Sequence, residues 1–314
     1  MRPLLFYCDH HEPTLPTGHR FPMSKYRLLR ERLTPTGLFT LEPAPLASAQ
    51  IIELAHHPAY VRDFLSGGLS LDAMRRIGFP WSEPLVQRTC ASVGGTLAAA
   101  RQALAHVWSG TLAGGTHHAF FAEGSGYCIF NDVVIAINAL RAEGLIGRAA
   151  IIDLDVHQGD GTALMMQGDP LSYTLSAHGR HNFPFRKQQS TVDIEFDDGT
   201  GDAEYLDRVA EVLPAVFAFR PDIVFYQAGV DALATDALGR LSLTPEGLAA
   251  RDTLVFDGIR RTGVPFVITL GGGYSNPIEQ TVDAHERTFR LAAQLTVQAP
   301  STLLRFHIRS ITLR

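Results

Sequence analysis

Short apolar runs alternate with longer amphipathic segments along this chain, and this alternation constrains its fold more than any other feature. The apolar runs predict strands at 4–8, 111–115, 149–155, 171–177, 222–229 and 265–272, with 191–196 as a further candidate. Helical segments are predicted near 24–33, 48–66, 84–108, 131–143, 202–219, 244–261 and 276–295. Such alternation indicates a parallel sheet with helices on both faces.

The segment 202–219 has the clearest helical pattern. It begins with Asp202 at a helix-start position and carries apolar residues at three- and four-residue spacing. Pro214 lies inside it, and the missing N–H predicts a kink or a boundary there.

The composition predicts one globular unit spanning 1–314, because 46% of the residues are hydrophobic and 19% are charged. The formal net charge of −5 argues against nucleic-acid binding. No apolar stretch approaches the ~18 residues of a membrane helix, and the first residues lack the apolar region of a signal peptide. Cys8, Cys90 and Cys128 are odd in number and widely spaced, which predicts free thiols and a cytoplasmic location. The sequence does not indicate an oligomeric state.

Polar motifs follow five of the predicted strands. Ligands of parallel sheets bind beyond the carboxyl ends of the strands, so these motifs are expected to meet at one rim. They read GGTHHA, DLDVHQGD, SAHGRHNFP, QAGVDALATD and LGGGYSN.

The second of these motifs, DLDVHQGD, predicts a metal site. Asp153, Asp155 and His157 face one way if the strand extends that far. Neighbouring buried carboxylates repel one another unless a cation lies between them. With Asp231 as the second carboxylate, Asp155 and His157 make a three-ligand site that leaves a position open, as in catalytic zinc sites. The alternative is that the acids cap helices or form ion pairs, and Asp160 could begin a helix.

His117 and His118 follow a glycine-rich strand end. A buried imidazole needs a partner that fixes its tautomer, and Asp153 and Asp160 are the nearest acids not assigned to the metal. Two His–Asp pairs beside a metal would transfer protons in both directions.

The LGGGYSN motif allows two interpretations. Three glycines between a strand and a helix could cradle a phosphate, but the spacing lacks both GxGxxG and GK[ST]. In the favoured interpretation, the glycines let the backbone pass close to the metal and turn Tyr274 inward, where its phenol stabilises a developing oxyanion.

Together the motifs resemble the histone deacetylase family of zinc amidohydrolases, which includes acetylpolyamine amidohydrolases and acetoin-utilisation proteins. GGTHHA, GYCIFND, IIDLDVHQGDGT, TLSAHG, AGVDAL and LGGGYS occur in the family's order and cover most of residues 110–280. The segment LPTGHRFPMSKYRLLRERL looks closer to bacterial and class IV members. The resemblance implies one deacetylase-like catalytic domain with an arginase–deacetylase fold, an open eight-stranded parallel sheet with helices on both faces.

The resemblance also implies roles for individual residues. One zinc ion would be held by Asp155, His157 and Asp231. His118, oriented by Asp160, would be the general base and acid, and His117, paired with Asp153, its electrostatic partner. Tyr274 would polarise the acyl carbonyl. Gly126, Tyr127, Phe183 and Gly272 would contact the substrate, and a structural K⁺ or Na⁺ would bind Ser176 and the main-chain carbonyls of Asp153, Asp155 and His157.

The implied substrate is an acylated lysine or an acylated small amine, with the acyl length open. Two competing classes are a binuclear manganese ureohydrolase and a non-catalytic member that binds acylated ligands. The ureohydrolase would need further acids where this chain has Gly159 and Leu233. Two departures from the family stand out: no acid matches the one at the tunnel mouth, where only Glu83 is near, and Ser24 or Lys25 falls near the position of an inner-channel arginine.

Overall fold

The computed structural model describes residues 2–298, so Met1 and residues 299–314 of the predicted 1–314 unit lie outside the described residues. Its eight strands form one sheet in the order β2-β1-β3-β8-β7-β4-β5-β6, and every pair is parallel. The strands are β1 (Leu4–Tyr7), β2 (Thr40–Pro43), β3 (Trp108–Thr111), β4 (Ala149–Asp153), β5 (Ser172–Gly179), β6 (Val192–Phe196), β7 (Ile223–Gln227) and β8 (Phe266–Thr269). The predicted fold class is confirmed.

The described helices are α1 (Ser24–Leu33), α2 (Ala49–Ile52), α3 (Pro58–Leu65), α4 (Leu71–Ile77), α5 (Glu83–His106), α6 (Asp132–Ala142), α7 (Asp160–Met165), α8 (Asp202–Ala218), α9 (Pro245–Thr262) and α10 (Glu279–Gln298). Every residue of β3, β4, β7 and β8 is buried, which requires cover on both faces of the central sheet. None of these helices combines the length and hydropathy that a bilayer crossing requires.

The connections around β4 and β7 create a binding crevice. These strands are neighbours, with Asp153 opposite Gln227, so their carboxyl ends are level. The chain passes from β4 to β5 on one side and from β7 to β8 on the other. This reversal is a topological switch point, where open parallel sheets bind ligands.

Two sequence predictions about the elements were wrong. The helix predicted at 48–66 is split into α2 and α3, because Pro58 holds His57 in an extended conformation (ψ 127°). The strand predicted at 111–115 is β3, which ends at Thr111, and α5 ends before it. Gly114 and Gly115 have φ of 75° and 76°, which a strand does not accommodate. Of the kink or boundary predicted at Pro214, the boundary is absent, because α8 continues through it with Leu213 and Val216 packed in the core.

Candidate active site

The loops that follow β3, β4, β7 and β8 meet at the carboxyl edge of the sheet. One prediction about this edge was wrong: β4 ends at Asp153, so Asp155 and His157 do not alternate along a strand. They lie in a tight loop in which the His157 N–H donates to Asp155 Oδ1 at 3.0 Å. The loop nevertheless places both side chains toward Asp231, on the loop after β7.

Asp155, His157 and Asp231 form a compact group of potential metal ligands. Their ligand atoms lie within 4.8 Å of one another, and all three residues are buried. His157 Nδ1 is 3.0 Å from Asp155 Oδ1 and 3.0 Å from Asp231 Oδ2. Burial and then the Asp155 charge raise the pKa of Asp231 to about 7. Burial lowers the pKa of His157, but its hydrogen bonds to the two carboxylates prevail and raise it to about 10.

The backbone holds the second oxygen of each carboxylate. Gly272 N–H donates to Asp155 Oδ2 at 2.6 Å, and Val156 N–H donates to Asp231 Oδ1 at 2.9 Å. A Cβ at Gly272 would lie 1.8 Å from Asp231 Oδ2, so only glycine fits this approach. Two buried, oriented carboxylates and one imidazole suit a divalent cation such as zinc. Gly159 and Leu233 add no ligand to this group.

Two histidines lie beside the metal-ligand group, each with its own carboxylate. His117 Nδ1 is 2.7 Å from Asp153 Oδ2, and His118 Nδ1 is 2.7 Å from Asp160 Oδ1. Burial opposes protonation of His117, but Asp153 and Asp155 raise its pKa to about 9. Burial and then the charge of His117 lower the pKa of His118 to about 4. These opposite shifts favour the imidazolium form of His117 and the neutral form of His118 near neutral pH.

Asp160 is the first residue of α7, and its carboxylate is also hydrogen-bonded to the ring of His118. It therefore fits both the helix-start and the histidine-partner interpretations. The loop that carries the histidines is fixed by Asp132, whose carboxylate accepts hydrogen bonds from the Gly115 and Thr116 N–H groups at 3.0 and 2.8 Å. Asp132 belongs to the GYCIFND motif, but sequence reasoning gave it no role.

Tyr274 projects into the same cavity from the glycine loop after β8. Its ring is perpendicular to that of His157, with centroids 6.5 Å apart. Burial raises the pKa of Tyr274 well above its ordinary value, so the phenol keeps its proton. The glycines do not lead directly into a helix, because α10 begins only at Glu279. The helix N-terminus of the phosphate-loop alternative is therefore missing at this position.

The cavity has a volume of about 650 Å³, and aromatic side chains line it beside His118. Phe183 meets His118 edge-on at 4.9 Å between ring centroids, and Tyr127 lies on the lining as well. Gly126 is next to both rings: a Cβ there would be 2.8 Å from His118 Cδ2 and 3.0 Å from Phe183 Cε1. Gly272 lines the inner end, whereas Glu83 starts α5 and lines a different cavity.

Three buried cations support the site without an assigned role from the sequence. Lys25 Nζ donates to Gly271 O at 3.2 Å and to Gly273 O at 3.3 Å, and thereby holds the glycine loop from behind. Arg251 donates to the carbonyls of Leu154 and Gly229 beneath the metal-ligand loops. Arg88 lines the inner cavity. In the sequence, the burial of Arg251 could have been inferred from its position among the apolar residues of one helix face.

Comparison with known proteins agrees with this geometry. The histone deacetylase domain family matches residues 19–289, and the chain belongs to that family. It is 43% identical over 296 residues to an uncharacterised protein of Picosynechococcus sp., covering 92% of this chain and 98% of that one. It is 29% identical to a histone deacetylase-like amidohydrolase of Pseudomonas aeruginosa (84% of this chain, 74% of that one). Histone deacetylase 2 of Arabidopsis thaliana is 36% identical, over 58% of this chain and 48% of its own length. Family membership supports a hydrolase of the deacetylase type.

Proposed function

We propose that this protein is a zinc-dependent deacylase that hydrolyses the linear amide of an acylated lysine or a related acylated amine. One observation carries the proposal: a three-residue metal-ligand group and two His–Asp pairs meet at a single cavity, which Asp155, His157, His117 and His118 line. Asp155, His157 and Asp231 would hold the zinc ion. When bound, zinc supplies Lewis acidity that acidifies water and polarises an amide carbonyl.

The chain's own groups supply the proton transfers. His118 is neutral because burial and the His117 charge lower its pKa to about 4, so its Nε2 can accept a proton from water. Asp160 holds the opposite nitrogen and so fixes the tautomer. The protonated imidazole of His118 then delivers its proton to the leaving amine. His117 remains cationic beside Asp153 and stabilises the negative charge that develops in the cavity.

Tyr274 and the cavity walls orient the substrate. The protonated phenol of Tyr274 donates a hydrogen bond to the developing oxyanion, a contact typically worth a few kcal/mol. Gly126, Tyr127, Phe183 and Gly272 contact the extended acyl-amine as it reaches the reacting centre.

Other expectations stay predictions. They are a single catalytic domain over 1–314, a cytoplasmic location and a K⁺ or Na⁺ bound by Ser176 and the carbonyls of Asp153, Asp155 and His157. The three cysteines are free and buried, which fits a reducing compartment.

The deciding experiment is a turnover panel on the zinc-loaded chain that varies acyl length and amine carrier separately, with the metal counted per chain. We expect one zinc per chain and release of the free amine from at least one acetylated or longer-acylated member. Bound zinc without turnover anywhere on the panel would favour the non-catalytic acyl-ligand binder. A stoichiometry of two metals per chain would favour the ureohydrolase.

A further inference from the structure

The outer end of the active-site cavity is lined by cationic side chains. All of them are exposed, whereas the metal ligands at the inner end are buried, so the cavity passes from a buried reacting centre to a basic rim. The rim cations are Arg20, Arg75, Arg76, Arg240 and the ionisable His181. Among the described residues that line this cavity, Asp155 is the only acid, and it belongs to the metal-ligand group.

The acidic partners of the rim arginines stand outside the cavity lining. Arg240 Nη1 is 3.1 Å and His181 Nδ1 is 3.2 Å from Asp198, Arg75 Nη1 is 2.9 Å from Asp72, and Arg76 Nη2 is 3.4 Å from Glu123. These pairs are exposed on both sides, so they are weak and exchange readily for another anion. Arg20 is exposed on the cavity lining, and among the described residues it has no acidic ion-pair partner.

We propose that the amine carrier of the substrate bears a carboxylate, which the basic rim binds while the acyl amide reaches the metal-ligand group. This inference rests on the proposed function and names its substrate class. A guanidinium binds a carboxylate through paired hydrogen bonds, and several of them around one opening raise the local concentration of anions. The same rim repels acylated polyamines and lysine-rich segments, although the whole chain carries a net charge of −5.

The test uses three acetylated amines of similar chain length that differ mainly in charge. They are Nα,Nε-diacetyl-lysine (anionic), its methyl amide (neutral) and N-acetylcadaverine (cationic). We expect kcat/KM on the zinc-loaded protein to fall about tenfold from the first to the second, through KM, and to fall again for the third. Raising the salt concentration should compress these differences, because screening weakens exposed charges.

Two rim variants locate the preference. Arg20→Gln and Arg240→Gln should each reduce the ratio of anionic to neutral kcat/KM about threefold or more. Arg260→Gln is the matched control, because Arg260 is similarly exposed and pairs with Asp257 but lies off the cavity. It should leave the ratio at the wild-type value.

Calorimetric binding of the same compounds to the metal-free chain separates this inference from the proposed function. Turnover with a flat or reversed charge order would overturn the anionic substrate class and leave the deacylase proposal standing. If none of the three is turned over and the panel of longer acyl groups gives no turnover either, the deacylase proposal fails. Tighter binding of the anionic compound, weakened by Arg20→Gln but not by Arg260→Gln, would still support the rim's role. Equal or undetectable binding of the three compounds would then overturn it.

Discussion

Nδ1 of His118 lies 2.7 Å from Oδ1 of Asp160, at the first residue of α7. This contact leaves the other imidazole nitrogen for the proposed proton transfer, because a carboxylate that accepts from Nδ1–H excludes the opposite tautomer. Asp160 also anchors a helix, so the orientation of the imidazole is built into the fold.

Replacing Asp160 by Asn should lower kcat about a hundredfold or more while the chain keeps its zinc. The amide can donate to Nδ1, which favours the tautomer that protonates the nitrogen needed as a base. Turnover assays with elemental analysis of the same samples test this. Asp153→Asn is the comparison variant, since it perturbs His117 instead. An unchanged kcat in Asp160→Asn would remove Asp160 from the orienting role.

Replacing Tyr274 by Phe should leave the metal bound and lower kcat by about two to three orders of magnitude. The change removes one oxyanion donor and retains the ring that packs near His157. KM should change much less than kcat, because the hydrogen bond strengthens only as the oxyanion develops. Tyr173→Phe, on β5 against Phe219, is the control. Full activity in Tyr274→Phe would exclude the phenol from the mechanism.

Replacing His157 by Ala should abolish both zinc binding and turnover. The imidazole contacts both carboxylates of the metal-ligand group, and without it two buried acids face each other. Elemental analysis of purified protein gives the metal content directly. Undiminished zinc in this variant would refute the ligand assignment.

Replacing Gly272 by Ala should also remove the metal, although no ligand is changed. The new Cβ would be 1.8 Å from Asp231 Oδ2, so the carboxylate or the loop has to move. Gly272 does not have a positive φ, so a steric conflict and not backbone strain causes the loss. Gly201→Ala is the control, because its nearest neighbour is a carbonyl oxygen 4.0 Å away. Wild-type zinc affinity in Gly272→Ala would show that the loop yields without disturbing Asp231.

The sequence predicted most of the fold and the residues that meet at its edge, for a physical reason. Each of His117, Asp155 and Asp231 follows the end of a parallel strand, and the order of such strands does not change the edge at which their ends lie. The limits of β3 were misplaced because Gly114 and Gly115 extend the apolar run without adopting strand conformation.

The supporting contacts could not be predicted, because they join distant parts of the chain. Lys25 reaches Gly271 and Gly273 across nearly the whole sequence. The sequence places Lys25 on the predicted helix α1 but does not indicate that it is buried. Its burial results from the packing of α1 against α10. The sequence does not reveal the basic rim for the same reason, since Arg20 and Arg240 come together only through the tertiary fold.

His56 is another such contact, and it makes stability depend on pH. The ring is fully buried: Nδ1–H donates to Phe120 O at 2.9 Å, and Nε2 accepts from Asn131 N–H at 2.8 Å. Burial lowers the pKa of His56 to about 4, and the Phe120 carbonyl only partly opposes this. The neutral ring therefore joins the backbone at Phe120, two residues beyond His118, to the backbone at Asn131, the residue before α6.

The free energy of unfolding should therefore fall as the solution is acidified through this histidine's titration range. Below about pH 6.5 His56 is protonated in the unfolded chain. In the folded chain its imidazole stays neutral until the pH falls to about 4. The contribution of neutral His56 to the free energy of unfolding is fully present above pH 6.5, and about 3 kcal/mol of it is lost by pH 4. Urea unfolding at pH 6.5 and 4.5 should show a smaller decrease for His56→Gln than for wild type, whereas His106→Gln, at the exposed end of α5, should match wild type. Equal decreases in wild type and His56→Gln would mean that other groups carry the acid sensitivity.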